Sequence, residues 1–264
     1  MGAHASEFIQ FPSNDAVTRV AYAGDWHANP LFARKVIRSL AGEVDAVVHL
    51  GDFGVGFSDR YLQVVDEAAR EADLVVMLVD GNHEDHQQLG AIPISSDGVR
   101  RLAPRVWHLP RGFRWEWSGL SFLALGGAHS VDRQSRVPGV SWWPQEAISL
   151  QDALRATEGG PVDVLVTHDA PAGHVIPGLM PPGTFPAEEI EASDAHRQVL
   201  RRVVDEVRPR ALWHGHYHSR YRVETDYGCI ITGLDCDGYG ESGLHNNIDI
   251  VDLSELAVTL PPRS

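Results

Sequence analysis

Cysteine is scarce: the 264 residues hold two, Cys229 and Cys236, without CxxC spacing or companions that would build a zinc knuckle. That excludes a disulfide-stapled scaffold and points to a reducing, cytoplasmic setting. Long apolar runs are missing too. No segment approaches the roughly 20 apolar residues that span a bilayer. The stretch Met1 to Val20 carries Glu7 and Asp15 and has no apolar core of the kind a secretory signal needs. Met1-Gly2-Ala3-His4-Ala5-Ser6 fits the loose myristoylation pattern, but no polybasic second signal follows, so it reads as a chance match. Basic charge is short as well. With 22 Lys+Arg against 36 Asp+Glu the net charge is -14, which removes any general attraction for duplex nucleic acid or an anionic membrane and leaves small molecules as partners. The remaining composition, 43% hydrophobic and 22% charged, is that of a globular chain with a sizeable core. One residue type is abundant: there are 14 His.

Short apolar runs recur at Val17 to Ala23, Ala46 to Leu50, Leu74 to Val79, Leu120 to Leu125, Val162 to Thr167 and Ala211 to Trp213, each closed by a Gly-rich or polar turn. They read as buried strands. Helical spacing lies between them at Pro30 to Ala41, Arg60 to Ala72, Pro144 to Ala156 and Ser193 to Val207. This alternation predicts an α/β layered fold with substantial parallel pairing at least in the first half. The tail predicts strands at Arg220 to Thr225, Cys229 to Thr232 and Ile248 to Leu253, with a hairpin at Tyr227-Gly228. No repeat or linker divides the chain, so residues 1–264 read as one domain. Two irregular stretches, Gly127 to Trp143 and the Pro-rich Asp169 to Ala192, are candidates for lids or binding loops.

The polar residues follow the strands. Gly24-Asp25-Trp26-His27 follows the first, Gly51-Asp52 the second, Gly81-Asn82-His83-Glu84 the third, and Thr167-His168-Asp169 and His214-Gly215-His216-Tyr217-His218 two later ones. In open α/β sheets the carboxyl ends of the strands form the binding crevice, so the five clusters converge in expectation. Asp, Asn and His suit Mn, Fe or Zn rather than a sulfur-loving ion. Each fragment alone is weak, since Gly-Asp after a strand is usually a turn. His216 and His218 are stronger, because on an extended segment residues two apart point the same way. The order of all five carries the signal.

With these blocks in place, the chain resembles the calcineurin-like metallophosphoesterases, over about residues 17 to 220. The resemblance implies two packed mixed β-sheets flanked by helices, with the strands of residues 220–260 completing them. It implies two divalent ions, one held by Asp25, His27, Asp52 and His218, the second by Asp52, Asn82, His168 and His216, with Asp52 as the bridge. Two such ions about 3.5 to 4 Å apart share a water, lower its pKa and deliver hydroxide in line to phosphorus. His83 would stabilise or protonate the leaving oxygen, a task suited to an imidazole.

One departure bears on substrate. The protein Ser/Thr phosphatases of this superfamily carry an Asp and an Arg three and four residues after the bridging Asp; here those positions are Val55 and Gly56. This argues for a phosphodiesterase acting on small or cyclic nucleotides. The alternatives are a phosphomonoesterase, protein phosphatases included, and a dinucleotide polyphosphate hydrolase. Arg133, Arg136 and His129 are candidate phosphate contacts, each weighed against an ordinary structural role. Trp142-Trp143 reads as packing before base stacking, and His174 and His214 as structural. A non-catalytic scaffold on the same fold would have lost ligands, and all are present. A metallo-β-lactamase-like hydrolase is set aside for want of a His-x-His-x-Asp-His block.

Overall fold

The structure is a computed structural model and describes residues 10–179, 181, 183–238 and 240–262. The Gly2-to-Ser6 pattern lies outside them. The first sheet is built from β1 (Arg19–Ala23), β2 (Ala46–His49), β3 (Val76–Leu78), β4 (Arg100–Ala103), β5 (Val106–His108) and, from the far end of the chain, β12 (Ile248–Asp252), in the order β12-β1-β2-β3-β5-β4. The second holds β6 (Arg114–Trp117), β7 (Leu120–Leu125), β8 (Val164–Thr167), β9 (Ala211–His214), β10 (Tyr221–Glu224) and β11 (Ile230–Gly233), ordered β10-β11-β9-β8-β7-β6. Each sheet is parallel inside and antiparallel at both edges. The parallel pairing therefore extends into the second half of the chain.

Side chains alternate across each strand, and the burial follows. On β1, Val20 and Tyr22 face the inter-sheet core while Ala21 and Ala23 face the helical layer. Tyr22 stacks on Trp213 across the seam, centroids 4.2 Å apart. Helices α1 (Pro30–Ser39) and α2 (Asp59–Glu71) cover the first sheet through Phe32, Val36, Ile37, Tyr61 and Val65. Both have side-chain N-caps, Asn29 and Ser58, and α1 opens on Pro30, whose fixed φ suits a first turn. Helices α4 (Leu150–Thr157) and α5 (Ala187–Val207) cover the second sheet through Ala156, Leu200, Val203 and Val207. A short α3 (His86–Ala91) follows β3, and α6 (Gly240–Asn247) and α7 (Leu253–Thr259) flank β12. Among the described residues, no helix is long and apolar enough to cross a membrane.

Several boundaries differ from the sequence reading. The helix expected from Ser193 begins at Ala187, right after Pro186, so the Pro-rich loop is six residues shorter at its end. The helix expected over Pro144 to Ala156 is a 3-10 turn at Pro144–Glu146 and then α4, which starts where Ser149 and Asp152 form a capping box. The strand expected to reach Leu253 stops at Asp252, which caps α7 instead. Strands β4 to β6 and helices α3, α6 and α7 had no counterpart in the sequence reading.

Candidate metal centre

The strand ends meet along one edge. The loops after β1, β2, β3, β8 and β9 bring Asp25 and His27, Asp52, Asn82 and His83, His168, and His216 and His218 into one crevice. Asp25, His27 and His218 form one group, and Asp52, His168 and His216 another, with the donor atoms within each lying inside 4.8 Å of one another. Asp52 joins the two. Its Oδ1 lies 3.2 Å from His168 Nε2 and its Oδ2 3.6 Å from His27 Nε2. Asn82 belongs with the second group: its Oδ1 is 3.1 Å from His168 Nε2, while its Nδ2 donates to Ser130 Oγ at 3.0 Å, which fixes the oxygen toward the crevice. Ser130 is held in turn by the buried carboxylate of Glu146.

The backbone is bent to aim these groups. His27, Asp52, His216 and His218 all have φ between +43° and +69°. Residues other than glycine seldom adopt that region, and when they do they cluster at functional sites. His216 and His218 therefore converge through a left-handed turn, not along an extended segment as their spacing suggested, and they join different groups. The turn is pinned by Tyr217, whose hydroxyl donates to Asp169 at 2.7 Å, while Asp169 also takes His196 Nδ1 at 2.6 Å. Two glycines are required for space. A Cβ on Gly81 would lie 2.1 Å from Asp52 Oδ1, and one on Gly215 2.0 Å from Asp25 Oδ1. Glu84 fastens the second block to the third: its buried carboxylate accepts from the backbone N–H groups of Phe53, Gly54 and Val55 at 2.8, 2.9 and 2.6 Å. Burial and the nearby Asp52 still push its pKa up to about 8.

Asp25 and Asp52 are almost wholly buried, and their charged partners are imidazoles. Burial opposes their ionisation, yet His168 and His83 hold Asp52 well below the carboxylate range, and His218 and His168 lower Asp25. The histidines answer. His218 is raised to about 10 by its bond to Asp25; His27, against its own burial, to about 11 by Asp237 and Asp52; and His168, likewise against burial, to about 9 by Asp52. Two buried carboxylates that draw protons onto three imidazoles form a pocket built for cations, and its oxygen and nitrogen donors fit a pair of divalent ions.

His83 stands beside this pair, its backbone N–H donating to Asp52 Oδ1 at 2.8 Å and its Nε2 3.9 Å from Asp52 Oδ2. Arg136 reaches the same edge: Nη2 lies 2.6 Å from His83 Nε2, and Nε 2.8 Å from Asp132. Burial, with Arg136 adding to it, holds the His83 imidazole below its usual range although Asp52 pulls the other way. The other two candidate phosphate contacts point elsewhere. His129 bonds Glu189 Oε2 at 2.8 Å and Arg133 bonds Glu189 Oε1 at 2.8 Å, so both tie the 127–143 stretch to the start of α5. His174 and His214 share the hydroxyl of Tyr221, at 2.8 and 2.6 Å. Trp143 is buried, edge-on to Phe57, and Trp142 lies under Arg133. The sequence reading missed Asp237, whose Oδ1 is 2.7 Å from His27 Nδ1, and Asn247, which bonds Trp26 and the Asp25 carbonyl.

Comparison with curated proteins returned no match. Among solved structures, the chain is similar to a hypothetical protein from Thermus thermophilus at 19% identity, covering 86% of this chain and 79% of that one with a TM-score of 0.44. It is similar to TT1561 of the same organism at 11% identity, 90% and 99% coverage and a TM-score of 0.52. A dimetal phosphatase from Danio rerio matches at 16% identity, 84% and 88% coverage and a TM-score of 0.46. The likeness to TT1561 is one of fold. The family model for calcineurin-like phosphoesterases matches residues 18–220, from the start of β1 through the last candidate ligand. The chain thus belongs to the calcineurin-like phosphoesterases, and it is a metal-dependent phosphoester hydrolase.

Proposed function

We propose that this enzyme hydrolyses small phosphodiesters, cyclic or short nucleotides being the substrate class, with Asp25, His27, Asp52 and His218 as ligands of one ion and Asp52, Asn82, His168 and His216 as ligands of the other. Mn, Fe and Zn suit these donors. The observation that carries the reading is Asp52, whose Oδ1 lies beside His168 of one group and whose Oδ2 lies beside His27 of the other, so that one carboxylate would serve both ions. When bound, a pair of divalent cations supplies Lewis acidity, polarising phosphoryl oxygens and acidifying water.

The chain's own groups divide the rest. Asn82 presents an amide oxygen, locked by Ser130. His83 Nε2 is the group nearest the crevice that can protonate a leaving oxygen, and Arg136 beside it supplies a fixed positive charge for the phosphate. In the free protein that guanidinium sits on Nε2, so a phosphate oxygen must draw it away before the imidazole takes up a proton. One feature favours a diester: Val55 and Gly56 stand where the Asp and Arg of the protein phosphatases would be. Arg136 is the observation that favours the alternative, a monoesterase. Paired assay of nitrophenyl phosphate and its bis-ester with Mn2+ separates them: faster bis-ester turnover is expected, and a tenfold preference for the monoester refutes the diester reading.

A further inference from the structure

Beyond the matched region, Asp237 reaches the Asp25–His27–His218 group. The match ends at residue 220, and Asp235, Cys236 and Asp237 follow β11, at the same edge as the other strand ends. Asp237 uses both oxygens: Oδ1 lies 2.7 Å from His27 Nδ1 and Oδ2 accepts from Asn29 Nδ2 at 2.8 Å. The carboxylate thus spans the left-handed His27-Ala28 turn from both sides. With Nδ1 committed to Asp237, Nε2 is the donor that faces Asp52 and Asp25, at 3.6 and 4.0 Å. A carboxylate on the far nitrogen also makes the imidazole a stronger donor. The other group has a neutral counterpart, since His168 Nδ1 bonds the backbone carbonyl of Leu50 at 2.7 Å.

We propose that Asp237 is a positioning residue for His27, and that through it the segment outside the family match sets the affinity of the Asp25–His27–His218 site for its divalent cation while leaving the Asp52–His168–His216 site alone. The proposal rests on His27 being a ligand, as argued above. Loss of such a carboxylate typically lowers metal affinity about 10- to 100-fold. Asn29→Ala, which frees the second oxygen of Asp237, has a smaller effect at the same site.

The test is calorimetric titration of the metal-free protein with Mn2+, for wild type, Asp237→Asn, Asn29→Ala and His27→Ala, alongside the melting temperature of each metal-free variant. Wild type is expected to bind two ions and His27→Ala one. Asp237→Asn is expected to bind two, with the ion at the Asp25–His27–His218 site weakened about 10- to 100-fold and the other at wild-type affinity. Wild-type affinities in Asp237→Asn, with one ion lost in His27→Ala, overturn the proposal. Equal weakening at both sites with a lowered melting temperature also overturns it, because it marks a general structural role. Two tight ions in His27→Ala refute instead the ligand reading beneath it.

Discussion

Replacing Arg136 by Ala tests the chemistry without touching a candidate ligand. The side chain is 8% exposed and holds His83 and Asp132, and its neighbour Asp132 is 41% exposed, so the ion pair lost is partly solvated and costs under about 1 kcal/mol of stability. Its contribution to turnover is larger. A hydrogen bond to a charged group is worth about 1.5–3 kcal/mol. At about 1.36 kcal/mol per factor of ten, losing one such bond to the phosphate lowers kcat/KM about 10- to 160-fold. A monoester, with its second negative charge, should lose more than a diester. Arg136→Lys keeps the charge but cannot hold His83 and Asp132 through separate nitrogens of a planar fork, so it recovers part of the rate. Steady-state kinetics with both nitrophenyl esters, beside metal analysis, decides the matter. If Arg136→Ala keeps two ions and its kcat/KM stays within twofold of wild type, the guanidinium takes no part in the reaction and His83 must work alone.

Other outcomes follow from the same geometry. Glu84→Ala strands the N–H groups of Phe53, Gly54 and Val55; at about 1–3 kcal/mol for each buried donor left unsatisfied, chemical denaturation of the metal-free protein should show a loss of at least about 3 kcal/mol. Gly215→Ala puts a Cβ 2.0 Å from Asp25 Oδ1, so metal analysis should find the Asp25 site emptied while the other keeps its ion. Chelation should lower the melting temperature of wild type, since an ion at 100 times its Kd adds about 2.7 kcal/mol of stability, and Asp52→Asn, which removes the bridge, should abolish most of that shift.

The site was legible where chemistry and strand order coincide. Asp25, Asp52, Asn82, His168 and His216 each close an apolar run, and a residue that follows a buried strand at its carboxyl end has one place to go. The C-terminal contribution was written in the same way and overlooked: Gly233-Leu234-Asp235-Cys236-Asp237 follows the strand read at Cys229 to Thr232 just as Gly24-Asp25 follows the first. What spacing could not convey was conformation. His216 and His218 sit in a left-handed turn that their two-residue interval disguises, because hydrogen bonds from Tyr217 to Asp169 and from His216 N–H to Asp25 hold a backbone that local preference disfavours. The missed strands β4 to β6 are three or four residues each and are interrupted by Arg, His or Glu, so they lack the apolar runs by which the others were found. His129 and Arg133 are engaged by the buried Glu189, a partner invisible in one dimension because it lies some 56 to 60 residues away in sequence.

The two groups of donors also explain why a chain of net charge -14 can take an anionic substrate at this edge. Asp25, His27, Asp52 and Asn82 come from the first sheet and His168, His216 and His218 from the second, so each group draws on both. Neither sheet alone presents a complete set. The inter-sheet core brings them to the seam, with Tyr22 stacked on Trp213 just below the strand ends. The same burial strips Asp25 and Asp52 of water, and a desolvated pair of carboxylates is tolerable only with positive charge between them. Protons on His27, His168 and His218 meet that need in the free chain, as their raised pKa values indicate. Divalent ions meet it with charge to spare: two of them outweigh the two carboxylates and leave the crevice locally positive on an acidic surface. On the proposed reading, attraction for phosphate would be confined to the reach of the ions, His83 and Arg136, and the chain's net negative charge would disfavour a polyanion extending beyond it.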